Sequence, residues 1–471
     1  MMNILKLFQQ RYGISMTMTV MLLAVALTAC EQEEVTIPGL YAFTDVTVVP
    51  MHTELVLENH TVVVRNDQIA TVGPTDQVEI PEGANVIDGS GRYLMPGLAE
   101  MHGHIPGPDD PQYAEDMLFL YISNGVTTVR NMSGHEYHLE LIERIDNGEI
   151  PGPHVTAATP WTSPNNIPGP DEAREAVHEF VEAGFDLIKI GNIRADAYEA
   201  LVDEAHAAGI PFGGHIPEEV GLLGALEVHQ ASIDHFDRYV EFMAKEHPDA
   251  ADRNPGFFGS GVVDLIDEER MHEAIERTIE AGTWNIPTLS LVEHLASPEA
   301  PEEMIQWPEM RYMPQSVLDH WVEAKHNFQA RDDFQQEAAQ RLVQVRRDLL
   351  KAMHEHNAPI ALGSDAPQFF NVPGFSIHHE MEMMVAAGLT PFDVLVTGTR
   401  NPAGYLNTPD AFGTVEEGRR ADLILLEANP LVDIAAVRER AGVMIRGEWW
   451  PEERIQEQLE SIADRYAEAQ E

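Results

Sequence analysis

The sequence predicts an α/β chain: a TIM (β/α)8 barrel in the middle, with a small β-sandwich domain formed by both chain ends. Three observations carry that expectation. Short apolar runs alternate with amphipathic helical stretches eight times between about residues 95 and 405, as an eight-fold β/α repeat requires. The flanking stretches, 39–87 and 421–447, are instead rich in β-branched runs separated by polar turns. Four of the eight apolar runs also end in a histidine or a carboxylate, and chemistry in such a barrel collects at the C-terminal ends of its strands.

Taken in order, residues 1–30 read as a lipoprotein signal peptide. Lys6 and Arg11 precede a mostly apolar run over 14–27, then Leu27-Thr28-Ala29-Cys30, the order of a secretory leader. A cysteine directly after small residues resembles the lipobox of bacterial lipoproteins, which implies lipidation at Cys30. Glu31 in the next position implies delivery to the outer membrane. Cys30 is the single cysteine, so there is no disulfide framework. No later run is long and apolar enough to span a bilayer, so contact with a membrane is expected through the lipid anchor only.

After an acidic tether at 31–37, residues 38–92 supply the N-terminal part of the sandwich, with strand-like runs at 41–43, 46–49, 61–64 and 69–73. Residues 93–408 form the barrel. Its strands are expected at 93–101, 126–130, 154–159, 185–190, 210–214, 232–235, 285–289 and 359–363, with helices such as 171–183 and 195–208 between them. The stretches 239–271 and 300–330 exceed ordinary connections and read as lids over the barrel mouth. Residues 409–450 complete the sandwich, with runs at 421–426 and 442–447, and 451–471 form a charged, peripheral helix.

Composition bounds the partners. With 44% hydrophobic residues, 471 residues can bury a sizeable core. Seventy-eight acidic residues against 29 basic ones give a formal charge of −49, spread along the chain. A phosphate backbone would be repelled, which excludes nucleic acid. A dispersed acidic surface suits solution in high salt, where screening removes most of the self-repulsion, so a halophilic source is expected. Assembly as a homo-oligomer is compatible with the sequence.

The chemistry lies at the strand ends. The first strand ends in His102-Gly103-His104, the fourth carries Lys189, the fifth ends in His215, the sixth in His235 and the eighth in Asp365. Side chains alternate along a strand, so His-x-His puts both imidazoles on one side, where they can grip a Zn²⁺-like ion that favours nitrogen donors. Lys189 is one of only five lysines. It sits in an apolar strand, where an ammonium costs several kcal/mol unless paired or modified. It either pairs with an acid or carries a CO2-derived carboxylate that bridges two metals. Asp365 can bind a metal and take a proton from water, or cap the helix that follows.

These segments together resemble the amidohydrolase superfamily: Pro96-Gly97-Leu98 through His104, Gly125-Val126-Thr127-Thr128-Val129-Arg130, Gly213-Gly214-His215-Ile216-Pro217, Ser232-Ile233-Asp234-His235, Gly363-Ser364-Asp365, Gly413-Thr414-Val415, Gly418 and Ala421-Asp422-Leu423. The likeness covers about residues 40–450 and is greatest to the imidazolonepropionase-related, prolidase-like branch with a carboxylated lysine. It implies two divalent ions, zinc first with manganese, iron or cobalt as alternatives. His102, His104 and Asp365 would hold the buried ion, His215 and His235 the outer one, and Lys189 would bridge both. Glu100, Asp234 and Asn131 depart from the family's usual Asp, Glu and Asp, all in supporting positions.

The expected activity is hydrolysis of an amide-like C–N bond in a small-molecule substrate. A water shared by two cations falls from about 15.7 towards ~7 in pKa. Asp365 would then act as general base and acid, with His235 stabilising the oxyanion. Tyr239, His135, Arg130 and Trp161 follow strand ends and are candidates for substrate contact. A lactonase or esterase would use the same site. A mononuclear deaminase would use His215-x-x-Glu218, against which Pro217 and Lys189 argue. A non-catalytic lipoprotein binding module would be expected to have lost some of these ligand types.

Overall fold

The computed structural model describes residues 36–469. Cys30 and the leader before it lie outside the described residues. Three N-terminal strands, β1 (Leu40–Val48), β2 (Leu57–Arg65) and β3 (Gln68–Pro74), pair antiparallel. The β-branched run Val62-Val63-Val64 is wholly buried in the middle strand, as a pleated, packed surface favours. β4 (Asn85–Asp88) and β5 (Tyr93–Pro96) then lie parallel to the first and second halves of β1.

The chain changes sheets at Pro96. Proline brings no N–H to a ladder, and the next amides turn away: Gly97 N donates to Asp422 O and Leu98 N to Gly125 O, both at 2.8 Å. The strand predicted over 93–101 is therefore two, β5 and β6 (Leu98–Gly103). β6, β7 (Val126–Asn131) and β8 (His154–Ala157) form one parallel sheet. β9 (Ile188–Ile190), β10 (Phe212–Gly214), β11 (Ser232–Asp234) and β12 (Trp284–Ile286) form a second, ordered β12-β11-β10-β9. Nearly every residue of β6, β7, β9, β10 and β11 is buried, as in parallel strands covered by helices on their outer face.

A parallel bridge between Ala158 and Leu187 links the two sheets. The eighth predicted strand, 359–363, makes no full ladder. Ile360 bridges to Asn285, and Leu362 O accepts from Met101 N at 2.8 Å, so the segment runs between β12 and β6. Part of its backbone is taken by the helices outside it: Leu362 N donates to Thr397 O and Asn401 Nδ2 to Ile360 O. The helices predicted at 171–183 and 195–208 are Pro170–Ala183 and Ala195–Ala208.

β13 (Leu423–Leu426) returns to pair with β5, and β14 (Arg440–Ile445) and β15 (Glu448–Pro451) follow antiparallel. The order β15-β14-β13-β5-β1-β2-β3, with β4 beside β1, puts both chain ends in one eight-stranded sheet. The molecule is an α/β fold in which this sheet sits beside the parallel core.

The helix Glu452–Glu468, expected to be peripheral, is docked. Ile455, Leu459 and Ile462 are buried in a cluster with Met117, Met310 and Trp321. Arg465 and Tyr466 both reach the buried Asp116. The supposed lids are largely helical. Residues 239–271 contain Tyr239–Ala244 and three short 3-10 turns, and 300–330 contain Gln315–Gln329. They meet where Phe257 packs on Phe328, ring centres 4.7 Å apart. No described helix is long and apolar enough to cross a membrane.

Candidate metal centre

The parallel strands deliver the polar side chains to one place. His102 ends β6, with His104 just beyond it. Lys189 lies within β9, His215 and His235 directly follow β10 and β11, and Asp365 follows the 359–363 segment. His102, Lys189, His235 and Asp365 are each no more than 2% exposed.

Asp365 is the centre of the group. Its Oδ1 lies 3.1 Å from His104 Nε2 and 3.6 Å from His102 Nε2, and its Oδ2 lies 3.7 Å from His235 Nδ1. Lys189 Nζ is 3.3 Å from His102 Nε2. His215 stacks on His235 with ring centres 4.7 Å apart, and His235 lies 4.5 Å from His102. All six residues that the sequence singled out as ligands are thus brought together. Gly214, at φ +114°, leaves the space that Lys189 crosses, since a Cβ there would stand 2.9 Å from Lys189 Cδ.

Three of the four rings lie against a partner. His215 Nδ1 is 2.7 Å from Asp237 Oδ2, and His235 Nδ1 is 2.8 Å from Thr288 Oγ1. His102 Nδ1 lies 2.7 Å from Asp234 Oδ2, without hydrogen-bond alignment. In these three the Nε2 is left as the nitrogen for a ligand bond, the usual arrangement around a metal-binding imidazole. Glu100 accepts from the amides of His102 and Ser364 and from the Ser364 hydroxyl, tying β6 to the Asp365 turn. His235, Thr288 and Asp365 all have left-handed backbone, φ +62°, +46° and +65°. Such strain persists where surrounding structure over-determines it, and it clusters at functional sites.

The electrostatics suit a cation. Burial drives His102 and His235 well below the ordinary histidine value and His104 down to about 3. Neutral imidazoles are the form that ligates metal. Burial also raises Asp365 well above the ordinary carboxylate range and lowers Lys189. His104 Nε2 and Asp365 Oδ1 have no hydrogen-bond partner among the described residues. His102, His104 and Asp365 place one donor atom each within 4.8 Å of one another. Buried polar atoms without partners call for an explanation, and a bound cation would satisfy these donors together.

Two of the expected substrate contacts, Arg130 and Tyr239, are buried against the protein's own groups. Arg130 is fully buried: it grips both oxygens of Asp234, at 3.0 and 2.8 Å, and donates to Ser232 and Tyr405. Tyr239 is fully buried too, with its hydroxyl 2.7 Å from Thr278 Oγ1. His135 caps the helix Glu136–Asp146, its Nδ1 accepting from Tyr137 N. Trp161 is stacked on His215 at 5.0 Å and is 53% exposed. Glu218, which a deaminase would need, is exposed. Sequence reading missed Asp237, Thr288 and Gln368, whose Nε2 donates to Asp365 Oδ2, because such orienting partners are set by distant approach and not by a local pattern. A separate cavity of about 720 Å3, walled by His294, Trp307, Glu309 and His379, shares none of the cluster's residues.

The Amidohydrolase family model matches residues 93–450. Ochratoxinase of Aspergillus niger is 24% identical over 418 residues, 74% of this chain and 73% of that protein. Among solved structures, bottromycin amidohydrolase superposes with a TM-score of 0.70 at 21% identity, covering 91% of each chain. A Xaa-Pro dipeptidase with methionine in its active site gives 0.64 at 19% identity, covering 88% of this chain and all of the other. With the strand-end histidines and the buried aspartate already in place, the match over most of its length makes this chain a member of the amidohydrolase family, and a hydrolase.

Proposed function

We propose that the chain is an exported hydrolase that cleaves an amide-like C–N bond with the help of two divalent ions. The observation that carries this reading is the convergence of four imidazoles, Lys189 and Asp365 from five strand ends around unpaired donor atoms. The ions, zinc by donor preference, would be held by His102, His104 and Asp365 on one side and by His215 and His235 on the other, with a carboxylated Lys189 between. When bound, they supply a more acidic water and a polarised substrate carbonyl.

The rest belongs to the chain. Burial favours the free amine of Lys189. That nitrogen can add to the carbon of CO2 and lose a proton, leaving a carbamate anion. Asp365, in reach of three imidazoles and steered by Gln368, takes the proton of the attacking water and returns it to the departing amine. Thr288 and Asp237 hold His235 and His215 in place. The linked parallel sheets and the 359–363 segment are read as a closed (β/α)8 barrel, supported by the contacts at Ala158–Leu187, Asn285–Ile360 and Met101–Leu362. The shared end sheet is read as the companion sandwich.

Export and lipidation at Cys30, an outer-membrane address, a halophilic source and a small-molecule partner rest on the leader-like sequence, the acidic composition and the amide-cleaving relatives. The test is turnover of N-acyl amino acids, Xaa-Pro dipeptides and lactones by protein loaded with Zn²⁺ or Mn²⁺. Cleavage of at least one amide, lost on chelation and restored by metal, is expected. Turnover of lactones alone would move the reading to an esterase.

A further inference from the structure

Arg346 reaches inward from the helix Gln336–Glu355 and is buried. Burial lowers its pKa from 12.5 to about 10, so the guanidinium keeps its charge at neutral pH. A charge taken out of water needs partners that compensate its lost hydration, and a buried arginine ordinarily finds a carboxylate. Here both hydrogen bonds run to backbone carbonyls. Nη1 donates to His235 O and Nη2 to Pro287 O, the latter at 2.6 Å. The rings of Phe236 and Phe258 flank the cation at 5.4 and 5.5 Å, a further attraction for it.

Those two carbonyls belong to the segments that carry and aim one imidazole. His235, just past β11, has φ +62° and its amide donates to Ile286 O, the end of β12, at 2.8 Å. Pro287 precedes Thr288, which has φ +46° and whose Oγ1 lies 2.8 Å from His235 Nδ1. One guanidinium therefore grips the backbone of the imidazole and the backbone leading to its orienting hydroxyl. On the other side of Thr288, the buried Glu380 accepts from Leu289 N at 2.8 Å and Ser290 N at 2.7 Å. That carboxylate serves the helix Leu289–Ala296, whose N-terminal amides favour a negative charge. Arg346 has no such local task. Its planar fork fixes the spacing between two acceptors, which an ammonium on a flexible stem does not.

We infer that Arg346 is a positioning residue for the outer-ion site: it locks the backbone of His235 to that of Pro287 and Thr288, and so fixes the direction in which the His235 ring presents its free nitrogen. It touches neither substrate nor ion and acts through His235. The ion at that nitrogen rests on the hydrolase reading; the backbone bridge does not.

The experiment compares Arg346→Gln and Arg346→Lys with the parent chain and with Arg440→Lys, which alters another buried arginine, paired with Glu452 in the end sheet. In metal-free protein with isotope-labelled histidine nitrogens, His235 is assigned by the magnetic-resonance signals that His235→Gln removes. The parent should show two well-separated ring-nitrogen signals, those of one fixed tautomer. In Arg346→Gln they should move towards each other as the ring is released and samples both tautomers, while His154, beside Asp422, is unchanged. Arg346→Lys should give a smaller move in the same direction, and it carries the test if Arg346→Gln does not fold. Titration with Co²⁺ is the second readout. One of two ions should bind at least about tenfold more weakly in Arg346→Gln and the other within about twofold, with partial recovery in Arg346→Lys. Arg440→Lys should lower the melting temperature without either change. Unmoved His235 signals in a folded Arg346 variant would overturn the inference, as would an equal weakening of both ions that Arg440→Lys reproduces. A parent chain that binds no Co²⁺, with His235 signals that still converge in the variant, would keep the positioning role and remove the metal reading. Two ions bound by parent and variant alike, with unmoved signals, would do the reverse.

Discussion

At the scale of single residues, the polar side chains divide by what their second atom touches. Arg130 follows a strand end, where sequence position alone suggests a hand extended to substrate. Its guanidinium is instead spent on Asp234, which lies against His102, so it braces that imidazole from inside the core. Sequence gives the position of a strand end but not the direction of a long side chain. His102, His104, His215, His235 and Asp365 were legible because each stands at the end of a predicted strand. Lys189 was legible because a rare amine in an apolar run demands a reason. Asp237, the carboxylate that orients His215, offered no such signal. Asp237→Asn should weaken metal affinity about 10–100-fold, read by competition with a chelator, with the melting temperature little changed. Unchanged affinity would remove Asp237 from the site.

His294 gives a pH signature away from the centre. Burial pushes it down from 6.5 to about 3. Between those values the unfolded chain binds a proton that the folded chain refuses. Its contribution to stability is therefore complete above about pH 6.5 and is lost as the pH falls towards 3. The slope can approach about 1.4 kcal/mol per pH unit. His294→Gln should flatten the plot of unfolding free energy against pH between 6.5 and 5. Parallel curves for the two proteins would contradict this.

At the scale of elements, strong local periodicity was readable and shared backbone was not. The helices Pro170–Ala183 and Ala195–Ala208 fall within a residue of their expected bounds, because amphipathic spacing decides them locally. The run 93–101 looked like one strand, but an imino acid at Pro96 hands the chain from one sheet to another. The 359–363 segment is extended as expected, yet it divides its hydrogen bonds between neighbouring strands and outer helices. The C-terminal helix looked peripheral because charge dominates its composition. Its apolar stripe nevertheless buries Ile455, Leu459 and Ile462. Leu459→Ala should destabilise by about 2–5 kcal/mol, measured by denaturant titration. A change below about 0.5 kcal/mol, typical of exposed surface positions, would mean the helix is not docked.

At the scale of the whole molecule, the two chain ends meet in one sheet, and its member β5 leads directly into β6, whose end carries His102. The route of the chain therefore anchors the candidate centre to the part of the fold built last in sequence. The central claim is that the six converging side chains seat a pair of divalent ions, with Lys189 indispensable to the pair. The most direct test is metal content per chain by elemental analysis after loading and dialysis, for the parent protein and Lys189→Ala. Two ions per parent chain, with one or none in the folded variant, is the predicted result. A parent chain that takes up no metal, or a Lys189→Ala protein that still holds two, would contradict the account.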